Sequence, residues 1–309
     1  MSWLETLVEK FPVRKSEKQK EAFRQWVVSE AAKSLGYEAK VEAVGALPAN
    51  RNVVVGDPET AEVVFTAHYD TPATIGIPNI MIPRNMALFI LYQIAVVGGL
   101  LALAFCVGWL ASLAGLSFEA AYMIGWVFYM ALLIMMIGGI PNPHNVNDNT
   151  SGVAAVLGLM EKLPEEARGK AAFILFDNEE KGLLGSKAYA KAHQEVQYTK
   201  LIVNMDCVGV GETVLLIASK LATRLPSYPA LEEALRSHGG REVKFFGKAG
   251  SACNSDQKSF KGGVVLVACK KRPIVGYYCP RIHTPKDTFA DQGNLDFLAE
   301  SLAGFVAGL

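Results

Sequence analysis

The sequence predicts a single α/β domain, three layers deep around a mostly parallel central sheet, interrupted by a hairpin of two transmembrane helices. Three observations lead there. From residue 151 onward, short apolar strands alternate with amphipathic helices, the pattern of a sheet whose crossovers are helical. Between residues 85 and 143 the only charged side chain is Glu119, and two apolar runs each exceed the roughly 20 residues needed to cross a bilayer. Several strands also end abruptly in acids or histidines, the edge at which open α/β sheets bind ligands.

With 309 residues the chain can bury a sizeable core. Its 30 basic and 30 acidic residues balance, which removes the electrostatic case for nucleic acid as a partner. Mean hydropathy is +0.23, high for a soluble domain, and the excess is concentrated in one segment. The five cysteines (Cys106, Cys207, Cys253, Cys269 and Cys279) are odd in number and lack C-x-x-C spacing, so neither a disulfide framework nor a zinc knuckle is expected. Met1 to Glu5 lacks the basic-then-apolar order of a cleaved signal, and a reducing, cytosolic setting is expected.

The first helix read from periodicity runs from Ser16 to Leu35, with Phe23, Trp26, Val27, Ala31 and Leu35 on one face and Gly36 placed to stop it. Tyr37–Val44, Asn52–Val55 and Glu62–Ala67 read as strands, separated by Gly45, a Pro48-Ala-Asn turn and Asp57-Pro58. The third strand runs into His68-Tyr69-Asp70-Thr71-Pro72.

Met86–Leu113 and Ala120–Ile140 read as the two spans, joined by Ala114–Glu119. Arg84 just before the first span and His144 just after the second, with no Lys or Arg between the spans, place both ends of the hairpin on the cytoplasmic side. A helical hairpin buried in a soluble core is the competing reading, but spans this long rarely lack a polar face. Gly98, Ala102 and Cys106 fall at small-xxx-small spacing, compatible with helix packing or a homo-oligomer formed through the hairpin. Residues 1–84 and 144–309 are therefore expected to form one discontinuous domain, with 85–143 inserted.

Beyond the hairpin, Ser151–Leu163 reads as a helix, Ala171–Phe176 as a strand and Gly182–His193 as a helix. Strands at Lys200–Met205 and Thr213–Ala218 precede a helix at Pro229–His238. Strands at Val243–Phe246 and Val264–Ala268 follow, and Asn294–Leu309 closes the chain as an amphipathic helix.

Five places at strand ends carry chemistry: His68 with Asp70, Asp148, the pair Glu179-Glu180, Asp206 and His283. Each alone has an ordinary structural explanation. Glu-Glu is usually a solvated turn, Asp148-Asn149 could cap a helix, and a lone histidine is usually a satisfied side chain. Two imidazoles with several carboxylates suit zinc, or cobalt or manganese, better than calcium or a thiolate-bound metal. Neighbouring residues at a strand end point in different directions, so two adjacent glutamates can divide metal binding from proton handling.

The ordered set His68-x-Asp70, Asp148-Asn-Thr-Ser-Gly, Glu179-Glu180 before Gly182-Leu-Leu-Gly-Ser, Asp206, Ser255-Asp256-x-x-Ser-Phe260 and His283-Thr-Pro-Lys-Asp-Thr resembles the M28 family of binuclear zinc peptidases, chiefly aminopeptidases. The likeness runs from about Glu17 to the end, apart from the hairpin, and implies a zinc-exopeptidase-like fold, peptide substrates and two divalent ions. It implies that Asp148 bridges the ions, that His68 and Asp206 complete one position, and that Glu180 and His283 complete the other. Asp70 would take the second ring N–H of His68, and Glu179 would serve as general base toward a metal-activated water. A cis peptide after Asp148 is also implied. The chain departs from many members at Gln257, where they carry histidine, and at His144-Asn-Val-Asn147, where they carry a Gly-Ala run. His144 is the competing ligand candidate and reads better as a residue flanking the membrane. His193 and His238 are expected on exposed helix surfaces. Tyr277 and Tyr278 fit either oxyanion stabilisation or core packing.

The expected activity is that of a membrane-tethered metallo-aminopeptidase, with lipid bilayer and peptides as partners and the hairpin restricting entry to substrates arriving along the bilayer. A glutaminyl cyclase or another binuclear zinc amide hydrolase on the same scaffold is the alternative, as is a non-catalytic membrane scaffold.

Overall fold

The structure is a computed structural model that describes residues 1–47, 49–74 and 80–309; Pro48, in the turn expected after Val44, lies outside them. Its strands are β1 (Ala39–Val44), β2 (Asn50–Val55), β3 (Val63–His68), β4 (Ile80–Met81), β5 (Ala171–Phe176), β6 (Leu201–Met205), β7 (Thr213–Ala218), β8 (Glu242–Gly247), β9 (Gly263–Arg272) and β10 (Gly276–Pro280). Its helices are α1 (Trp3–Lys10), α2 (Glu17–Trp26), α3 (Ala32–Ser34), α4 (Met86–Leu113), α5 (Phe118–Gly138), α6 (Ser151–Lys162), α7 (Leu184–Ala192), α8 (Gln194–Thr199), α9 (Tyr228–Ser237) and α10 (Gln292–Ala307). One wider turn, Val27–Ala31, joins α2 to α3, so the helix read from periodicity is continuous. Ser16 and Gln19 cap its start reciprocally, and Gly36 ends it at φ +78°.

The sheet order is β1-β2-β5-β3-β6-β9-β10-β4, with β7 on β9 and β8 on β7. The centre, β5-β3-β6-β9, is parallel, as expected. Its flanks turn antiparallel at β1-β2-β5, β7-β9 and β9-β10-β4.

Alternation along the central strands builds both outer layers. Val63, Phe65 and Ala67 of β3 and Ala171, Phe173 and Leu175 of β5 face a core closed by α1, α2, α6, α9 and α10. Val64, Ala172, Ile174 and Phe176 face the opposite side, against Tyr189 and Ala190 of α7. Strands buried on both faces read as unbroken apolar runs, which is why β3 and β5 were legible without alternation.

The hairpin helices stand outside this core. Only 6% of the most apolar stretch of α4 and 11% of that of α5 are buried, which disfavours the soluble-core reading. The two helices cross closely where small residues meet. A Cβ on Gly108 would sit 2.9 Å from the Ala121 carbonyl oxygen, and one on Gly125 would sit 3.0 Å from that of Ala104. The seam is therefore Ala104/Gly108 against Ala121/Gly125. Gly98 has no neighbour within 4 Å of such a Cβ, and Cys106 is exposed.

Candidate metal centre

His68 is the last residue of β3, and Phe176 is its partner at the end of parallel β5. The Tyr69 N–H donates to the Phe176 carbonyl at 3.0 Å, so the two following loops start side by side. The Asp70 carboxylate then accepts the backbone N–H groups of Glu179 (3.0 Å) and Glu180 (3.2 Å), tying the acid pair to the histidine strand. With its oxygens used this way, Asp70 meets His68 differently from the sequence expectation: Nδ1 lies 3.2 Å from the Asp70 carbonyl oxygen and 3.6 Å from the carboxylate. The acid turn is braced from behind by Asp177, which accepts from Lys20 Nζ at 2.6 Å and from the Arg51 N–H at 3.1 Å. Gly185 is required there, because a Cβ would run into the Asp177 carbonyl oxygen and Asn52.

Asp148 sits in an irregular turn ahead of α6, and its peptide to Asn149 is cis. Each polar neighbour has a structural task. Asn149 accepts from the N–H groups of Gly152 (3.0 Å) and Cys207 (3.2 Å) and donates to the Met205 carbonyl (3.0 Å). Asn147 accepts from the Gly209 N–H at 2.8 Å, and Ser151 accepts from the Val208 N–H at 3.1 Å. The Asp148 turn is thus sewn to the loop carrying Asp206. A Cβ on Gly152 would collide with Asn149 and the Met205 carbonyl, which explains the glycine that ends the Asn-Thr-Ser-Gly run.

All five proposed ligands meet. His68 Nε2 is 3.4 Å from Asp148 Oδ1 and 3.8 Å from Asp206 Oδ1. His283 Nε2 is 3.1 Å from the other oxygen, Asp148 Oδ2, and 3.3 Å from Glu180 Oε2. The two oxygens of one carboxylate therefore face two different imidazoles, and Glu180 also offers an atom within 4.8 Å of His68 and Asp148. Glu179 offers an atom within 4.8 Å of His68 and Asp206. Glu180 Oε1 and Asp206 Oδ1 are buried with no hydrogen-bond partner, an arrangement costly for a carboxylate unless a cation faces it. Cys207 also stands within reach of Asp148 and Asp206, and its neighbour Cys279, its burial and those two carboxylates push the thiol well up. The donors are nitrogen and oxygen, as zinc, cobalt or manganese accept.

The electrostatics are those of crowded acids. Burial first, then Glu180, Asp256 and Asp206, push Glu179 well above the carboxylate range. Burial and Asp148 push Glu180 up to about 8, against the pull of His283. Burial alone would lower both histidines, yet Glu179 with Asp148, Asp206 and Asp70 holds His68 well above its usual value, and Glu180 with Asp148 raises His283 to about 9. Asp148 is held below its usual value despite burial because both imidazoles face it.

Sequence reasoning gave three further residues no role. Asp287, four positions after His283, accepts the N–H groups of Asn147 (2.9 Å) and Asp148 (3.0 Å) and so sets the bridging candidate against the His283 loop. Asp256 is fully buried without a hydrogen bond and is raised by burial to about 7. Arg14, also fully buried, donates to the Tyr69 carbonyl (2.5 Å) and to Thr150 (2.9 Å), closing the back of the site. Asp256 and Asp287 lay inside the sequence motifs; Arg14 had no signal, because its contacts with the site, to Tyr69 and Thr150, are distant in sequence. Gln257 accepts from Asn204 at 3.3 Å. His144 is exposed, while His193 pairs with Glu42 and Glu59, and His238 with Glu300. Tyr277 packs on Phe246 and Tyr278 meets Arg272, so both tyrosines serve the sheet edge.

In shape the chain is similar to glutaminyl cyclase of Porphyromonas gingivalis (TM-score 0.61, 15% identity, 99% of this chain and 96% of that one). It is also similar to the Legionella pneumophila aminopeptidase LapA (0.57, 13%, 99% and 68%) and to glutaminyl cyclase of Fimbriiglobus ruber (0.55, 14%, 98% and 92%). At such identities the likeness establishes the fold, which serves both kinds of enzyme. A search of curated proteins finds no match. The sequence model described as peptidase family M28 matches residues 138–306, the stretch carrying Asp148, the acid pair, Asp206 and His283. The fold agrees with that match over the residues outside it, and the chain belongs to peptidase family M28, whose hydrolases are zinc-dependent.

Proposed function

We propose that this protein is a membrane-tethered metallo-aminopeptidase that removes N-terminal residues from peptides. The observation carrying the reading is the division of Asp148, one oxygen toward His68, which also neighbours Asp206, and the other toward His283, which also neighbours Glu180. Those five residues would hold two divalent ions, zinc by preference, with Asp148 as the bridge; the unpartnered oxygens of Glu180 and Asp206 fit that role. Such a pair supplies Lewis acidity toward a carbonyl and readier deprotonation of water.

The chain's own contribution is proton handling and placement. Glu179 is left outside the proposed ligand set, and its place beside His68 and Asp206 suits its carboxylate to accept the proton of the attacking water and deliver it to the leaving amine. The Asp70 carbonyl fixes the ring orientation of His68, while its carboxylate fixes the turn that presents Glu179. Residues 85–143 would form the tether and the remainder the catalytic unit, facing the cytoplasm.

Glutaminyl cyclisation is the second reading, favoured by the two cyclases among the similar structures. Retention of both His68 and Asp206 beside Asp148 weighs toward the peptidase. The purified full-length chain, loaded with Zn²⁺, is assayed on aminoacyl-nitroanilides and, in parallel, for ammonia release from peptides beginning with glutamine. Nitroanilide hydrolysis that chelation abolishes supports the peptidase. Ammonia release alone replaces it with the cyclase, and neither activity leaves the scaffold.

A further inference from the structure

We infer that the base of the hairpin carries a binding surface for the anionic headgroups of phospholipids, built from residues far apart in sequence. This rests on the reading that the hairpin spans a bilayer. Sequence alone offered a single arginine, Arg84, at the entry to α4. The fold adds others around it.

Arg84 donates to the carbonyls of Gly247 (3.2 Å) and Ala249 (2.9 Å), which places exposed Lys248 beside it. Its guanidinium lies 4.4 Å from the ring centre of Phe246, and Phe246 meets Tyr277 edge-on at 6.1 Å. Lys271 Nζ caps the Tyr277 ring at 5.5 Å. A continuous ladder of cation, ring, ring and cation thus runs from the start of α4 to the β9–β10 turn. That turn is itself tethered to the hairpin, because Asn85 donates to the Ile274 carbonyl at 3.4 Å. Lys270, Lys271 and Arg272 are exposed along it, and Ile274 at its tip is 95% exposed. On the other side, Asn142 at the hairpin exit donates to the Thr284 carbonyl (3.1 Å), bringing the loop with exposed Arg281 and Lys286 to the same base. The acids nearby are Glu212, whose carboxylate accepts from the Lys271 N–H, and Glu242, already paired with Lys244.

An apolar tip within a basic collar, set where two apolar helices leave the domain, matches a bilayer surface: Ile274 reaches the acyl boundary while the cations meet phosphate. A loose peptide or a polyanion in solution would have no use for the isoleucine or for its place against the helices.

The full-length chain is reconstituted into nanodiscs of phosphatidylcholine alone or with phosphatidylglycerol, and backbone hydrogen exchange is followed at residues 246–250 and 270–278. Each basic side chain near an anionic surface contributes roughly a fivefold preference, so exchange at the β9–β10 turn is expected to slow by at least about tenfold with phosphatidylglycerol. High salt should reverse the effect, and the K270E/K271E/R272E variant should not show it. Equal exchange in the two lipids, or a slowing that the triple variant retains, overturns the collar while the inserted hairpin stands. A chain that elutes without lipid refutes the spanning hairpin, and the collar with it.

Discussion

Asp287→Asn tests how the centre is held together. The wild-type carboxylate is buried and accepts two main-chain N–H groups, those of Asn147 at 2.9 Å and Asp148 at 3.0 Å. Asparagine keeps the shape but has one acceptor oxygen, so its amide NH₂ must face one of those donors. The loss combines one charge-assisted hydrogen bond, roughly 1.5–3 kcal/mol, with a buried donor left unpaired, roughly 1–3 kcal/mol. The backbone bonds of the same residue, Val146 N–H to the Asp287 carbonyl and Asp287 N–H to the Thr284 carbonyl, are untouched, so the loop keeps its course. What changes is the seating of Asp148 relative to His283. Zinc affinity, measured by competition with a chromophoric chelator, should fall by about 10- to 100-fold, as for other partners of metal-holding residues. Activity at saturating zinc should fall less. A variant that binds zinc as tightly as the parent and melts at the same temperature would show that Asp287 positions nothing.

Three further outcomes follow from the same geometry. Glu179→Gln should lower kcat by about 10²- to 10⁴-fold while leaving zinc affinity near that of the parent, since the residue is not among the proposed ligands; unchanged kcat would remove it as the base. The chelated protein should lose stability as pH rises from about 5 to about 9, because several folded-state values lie above the unfolded ones: burial lifts Asp256 and Asp287 to about 7 and Glu180 to about 8, and neighbouring carboxylates lift His283 to about 9. Such groups stabilise fully below their unfolded values and cease to do so above the folded ones, with His283 alone accounting for on the order of 3 kcal/mol. Zinc, which binds the deprotonated forms, should flatten that slope, and a chelated protein that melts higher at the alkaline end contradicts the crowding described here. Phe173→Ala, in a strand buried on both faces and packed on Phe65 and Tyr37, should cost about 3–5 kcal/mol by chemical denaturation; a loss under about 1 kcal/mol would mean that the site collapses around the gap.

Much of this was legible before any coordinates, for identifiable reasons. β5 is an uninterrupted apolar run, and its end was marked by two acids. Both hairpin helices announce themselves by length and lack of charge. The apolar spacing from Phe23 to Leu35 and the stop at Gly36 gave the helix that α2 begins. What could not be read depends on contacts between distant segments. β10 has no apolar alternation, being held by pairing with β9 and β4, and its tyrosines answer to Phe246 and Arg272 instead of the site. Asp70 lies two residues from His68, which invited the histidine as partner of its carboxylate, but the competing claim came from two backbone N–H groups on another strand's loop. The small-residue stripe at Gly98, Ala102 and Cys106 had the right spacing, yet helix rotation put Ala104 and Gly108 at the seam.

The insertion between His68 and Asp148 looks disruptive in sequence and is mild in space, because its two ends meet. Thr74 N–H donates to the Ile140 carbonyl (2.8 Å), Asn142 N–H donates to the Pro72 carbonyl (3.1 Å), and Ala73 bridges Pro141 between them. This short antiparallel clamp closes the excursion at its base, so the chain re-enters the domain beside the point where it left. The clamp is also part of the site's rim. Buried Asn142 holds Pro72, four residues from His68, with its backbone and Thr284, next to His283, with its side chain. Since those two histidines face opposite oxygens of Asp148, the backbone that anchors the hairpin is the backbone that spaces the two halves of the centre. A hairpin attached at any other loop of this sheet could tether the domain, but it would not bear on both histidines at once.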